Sequence, residues 1–178
     1  LAPVQVVLVP IYRSDEDFDL VCKYLNPVIT ELKSKGISVL FDKRDTYKPG
    51  YKFNEHEIKG VPIRIVAGPK DIENSTLEIF RRDKMEKEII DIKNISSKVD
   101  FLIEDIQKYL FEKAKNFTDA NTRKANSYKE FKELIKNEGG FISAHWDGTR
   151  ESEEKIKRET KATIRLIPID GVKEKRNC

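Results

Sequence analysis

Two cysteines, Cys22 and Cys178, are all that a chain of 178 residues contains. So few thiols give neither a disulfide framework nor a complete zinc set, and they fit a reducing compartment. The two histidines, His56 and His145, supply little imidazole for acid-base chemistry, and each reads more simply as an ordinary polar residue of a helix or strand. The phosphate loop GxxxxGK(S/T), the GxSxG elbow and the HExxH pair are missing, which removes the commonest NTPase, hydrolase and metalloprotease signatures. No apolar run approaches the roughly 20 residues that span a bilayer, and Leu1-Ala2-Pro3-Val4 has neither the basic nor the long apolar segment of a secretory leader. An excess of one charge is lacking too: 34 Lys and Arg face 31 Asp and Glu, a net of +3. A polycationic tail is thereby excluded, so any nucleic acid must be held by local patches and shaped pockets.

Hydrophobic residues make up 38% and charged residues 37% of the chain, a balance that suits small, separately packed units. Val4 to Ile11 is almost continuously apolar, as in a strand buried on both faces. Ser14, followed by Asp15, Glu16 and Asp17, opens a helix whose apolar positions Phe18, Val21, Cys22, Leu25, Ile29 and Leu32 recur at helical spacing. Cys22 is thus a buried structural thiol, Pro27 a point of kinking or restart, and Gly36 the stop. Further strands are expected at 37–41, 62–67, 76–81 and 87–92, with a short helix at 52–59 closed by Gly60 and a turn at Gly68-Pro69. This makes an α/β domain over residues 1–95.

An α+β domain is expected over residues 96–178. Ser97-Lys98-Val99-Asp100 reads as a capping box opening a long helix, with Val99, Leu102, Ile103, Ile106, Leu110, Ala114 and Phe117 on one face. A second box at Ser127 opens a helix stopped by Gly139-Gly140. A strand at 141–146, a polar helix at 149–160, a strand at 162–167 and a charged, mobile tail beyond Asp170 complete the reading. The missing initiator Met and the terminal Cys178 raise the expectation that both ends are cut points in a longer protein.

The informative stretch runs Phe41-Asp42-Lys43-Arg44-Asp45-Thr46-Tyr47-Lys48-Pro49-Gly50-Tyr51-Lys52-Phe53, then Glu57-Ile58-Lys59-Gly60-Val61-Pro62-Ile63-Arg64 and Gly68-Pro69-Lys70-Asp71, with Arg81-Arg82-Asp83 downstream. In this order and spacing it closely resembles the anticodon-binding domain of class II prolyl-tRNA synthetases of the archaeal and eukaryotic-like type. Leu1-Ala2-Pro3-Val4-Gln5-Val6-Val7 matches the start of that domain, while Phe117 to Thr122 and Gly139 to Trp146 resemble the family's C-terminal domain. The resemblance implies a mixed five-stranded sheet flanked by helices and then a smaller α+β domain. It also implies a place in a proline-tRNA ligase, a cytoplasmic homodimer that activates proline with ATP and Mg and charges tRNA(Pro). The partners so implied are tRNA(Pro) and the enzyme's own catalytic domain. None of the class II catalytic motifs lies in this chain, so it is expected to bind tRNA without acylating it.

By the same resemblance, Glu57 and Arg64 read one guanine of the proline anticodon, and Lys70 with Asp71 reads the other. The chemistry agrees. Anticodon bases are read as splayed single-stranded bases, and guanine offers O6 and N7 acceptors beside N1 and N2 donors, so a carboxylate suits the donors and a cation the acceptors. Lys43, Arg44, Lys48 and Lys52 crowd the loop after the second strand and suit phosphate contacts, although such a run also reads as a solvated face. Tyr47, Tyr51 and Phe53 offer stacking faces, with Phe53 also placed on the inner side of the short helix. His56 stands where relatives have an aromatic residue, often Trp. The near-neutral charge leaves a second use of the fold open, a stand-alone protein-interaction module. Salt separates the two, because phosphate contacts weaken steeply with added salt and an apolar protein interface does not.

Many members of the family carry four cysteines on zinc in the C-terminal domain. Here Asp147 and Ser152 stand at two of those positions, and Cys178 with a lone Asp is not the tetrahedral N/S set of structural zinc. Metal analysis of purified, tag-free protein is therefore expected to return no stoichiometric zinc. One zinc per chain that survives mild chelation would overturn that expectation.

Overall fold

A computed structural model of the chain describes residues 2–169 and residue 171. Strand β1 (Val6–Pro10) is buried along its whole length, as its unbroken apolar run requires. With β2 (Val39–Phe41), β3 (Ile63–Ala67), β4 (Thr76–Arg81) and β5 (Glu86–Asp91) it forms one sheet of order β2-β1-β3-β4-β5. Val6 lies opposite Val39 and Ile63 in two parallel pairs, whereas β3-β4 and β4-β5 are antiparallel. Parallel neighbours need crossovers, and the helices α1 (Asp15–Ser34) and α2 (Pro49–Ile58) supply them. The expected mixed five-stranded sheet flanked by helices is borne out.

Local chemistry sets the helix ends. Ser14 caps α1 by accepting from the Asp17 N–H, and Pro27 sits inside the helix without ending it. Gly68-Pro69, read from sequence as a turn, opens a short helix, α3 (Pro69–Asn74), in which the Asp71 carboxylate accepts from the Gly68 N–H. The long helix α4 (Ile95–Ala120) begins before Ser97. Asp91 caps a preceding 3-10 turn at Ile92–Asn94, and the Ser97 hydroxyl donates to the Asn94 carbonyl rather than capping the helix.

The two faces of the sheet are covered unequally. Val6, Leu8, Ile63, Ile65 and Leu77 pack against Val21, Leu25 and Leu32 of α1 and against Ile95, Val99, Leu102 and Ile106 of α4. On the other face only Val7, Val9 and Val61, flanked by Val4 and Phe53, form a small cluster beside α2. The first turns of α4 are therefore part of the first core. The compact units run Leu1–Phe111 and Glu112–Cys178, where the sequence reading had placed the division between 95 and 96.

The second unit holds a parallel pair, β6 (Thr122–Lys124) with β7 (Phe141–Ser143), joined through α5 (Tyr128–Asn137). Ser127 caps α5 as expected. Gly140 has φ +85, and a Cβ there would meet the Asn121 carbonyl oxygen at 2.5 Å, so this stop requires glycine. Thr149 caps α6 (Arg150–Thr160), whose Glu159 accepts from the Tyr128 hydroxyl and from Lys132. Residues 162–167, expected as a strand, form none. Alternation makes a strand only where a ladder partner exists, and Leu166 and Ile167 are exposed. The tail, Asp170 and Val172 to Cys178, lies outside the described residues. No described helix is long and apolar enough to cross a membrane.

Leu102→Ala is expected to destabilise the first unit by about 2 to 5 kcal/mol, since Leu102 is 4% exposed within its core. Chemical denaturation of the whole chain measures this, and a loss below about 1 kcal/mol would separate α4 from that core.

Candidate nucleic-acid interface

The end of β2 delivers Asp42, 4% exposed, to the face covered by α2. Arg44 grips its carboxylate with two bonds, Nε to Oδ1 at 2.9 Å and Nη2 to Oδ2 at 2.7 Å, and His56 Nε2 lies 2.8 Å from Oδ2. Arg44 Nη2 also donates to Glu55 at 2.6 Å, and Glu55 accepts from Lys59. The Arg44 bonds and then the His56 bond hold the Asp42 carboxyl well below the usual carboxylate range, although burial opposes this. Glu55 is drawn down to about 2, first by Arg44 and then by Lys59.

This network changes how the loop charges read. Lys52 is 2% exposed, with its ammonium 3.4 Å from the Asp42 carbonyl, and burial pushes its amine down. It presents no surface to a phosphate. Arg44 is partly exposed, but its Nε and Nη2 are committed to Asp42 and Glu55. Lys43 lies over the Phe41 ring, while Lys48 is exposed at the N-terminus of α2 and remains placed for a phosphate. Tyr47 and Tyr51 stack on each other with centroids 4.4 Å apart and are 41% and 54% exposed, so an aromatic face is open to a base. His56 is 3% exposed, which leaves no stacking role at that position. Cys22 is buried and its thiol pushed up by that burial, in keeping with a structural residue.

The last turn of α2 carries Glu57, and β3 carries Arg64. Arg64 Nη1 donates to Glu57 Oε1 at 2.6 Å, so the structure brings this predicted pair together. Arg64 is 5% exposed and lies between two rings, 3.9 Å from the Phe53 centroid and 4.3 Å from that of Phe80. Its Nε is buried without a partner among the described residues. Phe53 is thus one wall of the guanidinium slot and an edge of the small apolar cluster at once. Phe80, the other wall, was not foreseen, because only the β3-β4 register places it opposite Arg64. Arg82, which the sequence marks only as the middle of Arg81-Arg82-Asp83, donates from Nε to the Glu57 carbonyl at 2.8 Å. Its neighbour Arg81 turns inward to Asp83 and Asp105, at 2.6 and 2.7 Å.

Lys70 and Asp71 sit beyond the opposite end of β3, in the first turn of α3. Lys70 is exposed, whereas Asp71 is half-buried with one carboxylate oxygen engaged by Gly68. From Arg64 to Ala67 the strand advances about 10 Å, so the two predicted pairs suit bases splayed apart rather than stacked. In the second unit, Ser152 donates to Asp147 at 2.5 Å and accepts from Trp146 Nε1 at 2.8 Å. These two side chains satisfy each other, and among the described residues no cluster of three or more His, Cys, Asp or Glu is placed to hold a metal. Asp147 and Ser152, bonded to each other, do not fit a pair of zinc ligands.

Residues 5–102 match the family model described as the anticodon binding domain. The chain belongs to that family. Residues 128–178 match the model of the prolyl-tRNA synthetase C-terminal domain. Proline-tRNA ligases of Flavobacterium johnsoniae and Bacteroides fragilis are each 50% identical over the whole chain, which spans 36% of the length of each relative. The crystal structure of prolyl-tRNA synthetase from Cryptosporidium parvum complexed with L-proline and AMP is similar, with a TM-score of 0.76 and 34% identity, over 89% of this chain and 34% of that one. The resemblance read from the sequence is borne out in both units.

The Asp42 network yields a pH prediction with a definite sign. Its folded-state pKa lies below the unfolded value, so its stabilisation is complete above about pH 5 and drains away as the pH falls through the folded value. The stability difference between the parent and Asp42→Asn is therefore expected to be widest near neutrality and to shrink steadily below pH 4. Denaturant titrations across that range test this, and a difference independent of pH would show that the carboxylate charge is not what holds the network.

Proposed function

We propose that this chain is the anticodon-reading part of a proline-tRNA ligase and that Glu57 and Arg64 recognise one guanine of the proline anticodon. The observation that carries this reading is the fixed carboxylate-guanidinium pair on the thinly covered sheet face, at the positions that the family resemblance assigns to guanine. Glu57 accepts from the guanine N1 and N2 donors, and Arg64 donates to the acceptor side of the same base. Lys70 and Asp71 meet the neighbouring guanine, beyond the far end of β3. Tyr47 and Tyr51 stack a base, and Lys48 contacts the backbone. Arg44 and Lys52 act from inside the protein by holding α2 in place.

In the full-length enzyme, ATP and Mg belong to a catalytic domain outside this chain, and proline is activated and transferred there. The enzyme works in the cytoplasm as a homodimer, and its C-terminal domain keeps its fold without zinc. The chain alone binds tRNA and neither activates proline nor acylates tRNA.

The test compares binding of tRNA with a proline anticodon against tRNA with either guanine replaced. Glu57→Ala leaves the guanine donors unpaired and is expected to reduce discrimination by about 1 to 3 kcal/mol. Lys70→Ala is the cleaner probe of the second base, because Asp71 also caps its own helix. Lys48→Ala is expected to weaken both RNAs alike and to make the salt dependence shallower by about one unit. If Glu57→Ala and Arg64→Ala lower both affinities together and leave discrimination intact, these residues form only an electrostatic surface and the assignment fails.

A further inference from the structure

We infer that Arg82 is a positioning residue for anticodon discrimination, holding Glu57 at its place relative to Arg64; the inference rests on the anticodon reading above. Glu57 is the penultimate residue of α2 and Arg64 the second of β3, so their separation is set by the α2-β3 connection, residues 59–62. Arg82, just past the end of β4, grips that connection at both ends. Its main-chain N–H donates to the Pro62 carbonyl at 2.9 Å, and its side-chain Nε donates to the Glu57 carbonyl at 2.8 Å. The Glu57 carbonyl belongs to the last turn of α2, where carbonyls lack a helical partner, and its other donor is the Gly60 N–H at 3.1 Å. A cation at a helix C-terminus is also favoured by the helix dipole. The same residue therefore fixes the backbone that carries the carboxylate and the backbone that leads into β3.

Within the connection the Val61 N–H also donates to the His56 carbonyl at 3.0 Å, but among the described residues Arg82 is the only side chain bonded to the Glu57 carbonyl. Gly60 adopts φ +81 and turns the chain without a side chain to brace it. Arg64 is held from three sides, by Glu57, Phe53 and Phe80, so the less constrained partner of the pair is Glu57. Discrimination by hydrogen bonds depends on that carboxylate lying in the plane of the base edge. Loss of the Arg82 side chain leaves Glu57 present and charged but free to tilt.

The experiment measures binding of anticodon stem-loop RNAs, one with the proline anticodon and two with one guanine replaced, to the 178-residue chain and its Arg82→Ala, Arg82→Gln and Glu57→Ala variants. Arg82→Ala is expected to lower discrimination at one guanine about tenfold, corresponding to a single hydrogen-bonding interaction at the base edge. The salt slope and thermal unfolding midpoint are expected to stay close to those of the parent, since Arg82 is exposed. Arg82→Gln, which retains an N–H donor without the charge, is expected to recover part of the discrimination. Two results overturn the inference: unchanged discrimination in Arg82→Ala, or an equal loss of affinity for all three RNAs with a shallower salt slope, which would make Arg82 a phosphate contact. Glu57→Ala separates the two levels. If it too leaves discrimination intact, the anticodon reading itself has failed; if it abolishes discrimination while Arg82→Ala does not, only the positioning role is lost.

Discussion

Asp42 closes β2 with a carboxylate that is almost wholly buried, and a charge so placed persists only where its partners are close and fixed. The partners come from two directions. Arg44 belongs to the loop that follows and His56 to α2, from which Lys52 also reaches the Asp42 main-chain carbonyl. The helix has no fully buried apolar residue of its own, since the side chains it buries are Lys52 and His56. Its seat on the sheet is thus set by bonds to Asp42, from His56 to the carboxylate, from Lys52 to the main-chain carbonyl and from Glu55 through Arg44, with Phe53 as the apolar supplement. Because Glu57 lies near the end of that helix and Tyr47 and Tyr51 near its beginning, the arrangement of the α2 side of the interface follows from Asp42.

The unequal covering of the sheet explains where such an interface arises. The face packed by α1 and α4 is closed by aliphatic side chains, which fill space and offer no hydrogen-bonding edge. On the α2 face the apolar cluster stops after three buried valines, and the next position along β3 is an arginine rather than an aliphatic residue. Two phenylalanines supply the packing that an aliphatic side chain would otherwise provide, while the guanidinium keeps its directional donors. A sheet face that exchanges aliphatic packing for a cation between rings loses some hydrophobic stabilisation and gains a fixed polar edge.

Much of this was legible in the residues. The buried strand at Val6–Pro10, the capped helix after Ser14 and the β4-β5 hairpin follow from period and capping alone, whereas Glu57 and Arg64 were linked only by the family resemblance, as readers of one base, and their bond to each other emerges from the fold. What stayed hidden depended on contacts between distant segments. The loop cations Arg44 and Lys52 read as free because their partners Asp42 and Glu55 acquire meaning only when β2 and α2 pack together. Phe80 and Arg82 become part of the site through strand register and through a bond spanning 25 residues. The α3 helix was missed because Gly-Pro signals a turn and a helix start equally well. The strand expected at 162–167 had the right alternation and no neighbour, whereas β6 had a neighbour and almost no pattern.

On the proposed anticodon reading, the Glu57-Arg64 pair also bears on why a wrong base is rejected. In the free protein the two side chains neutralise each other across a 2.6 Å bond, so neither waits as an isolated charge. A guanine adds to this arrangement, because its N1 and N2 donors meet carboxylate lone pairs that Arg64 does not use, and its acceptors face a cation. Adenine in the same position turns an N1 acceptor toward the carboxylate, which sets lone pair against lone pair beside a partly buried ion pair. A pyrimidine, lacking the imidazole ring and its N7, leaves part of the guanidinium edge without an acceptor. Discrimination then derives as much from the repulsion and unpaired groups that wrong bases create as from the bonds that guanine forms. It grows with the rigidity of the pair, since a loose carboxylate would swing away from a mismatched acceptor and soften the penalty. On that reading, the rings against Arg64 and the network beneath α2 contribute to recognition by holding the pair in place.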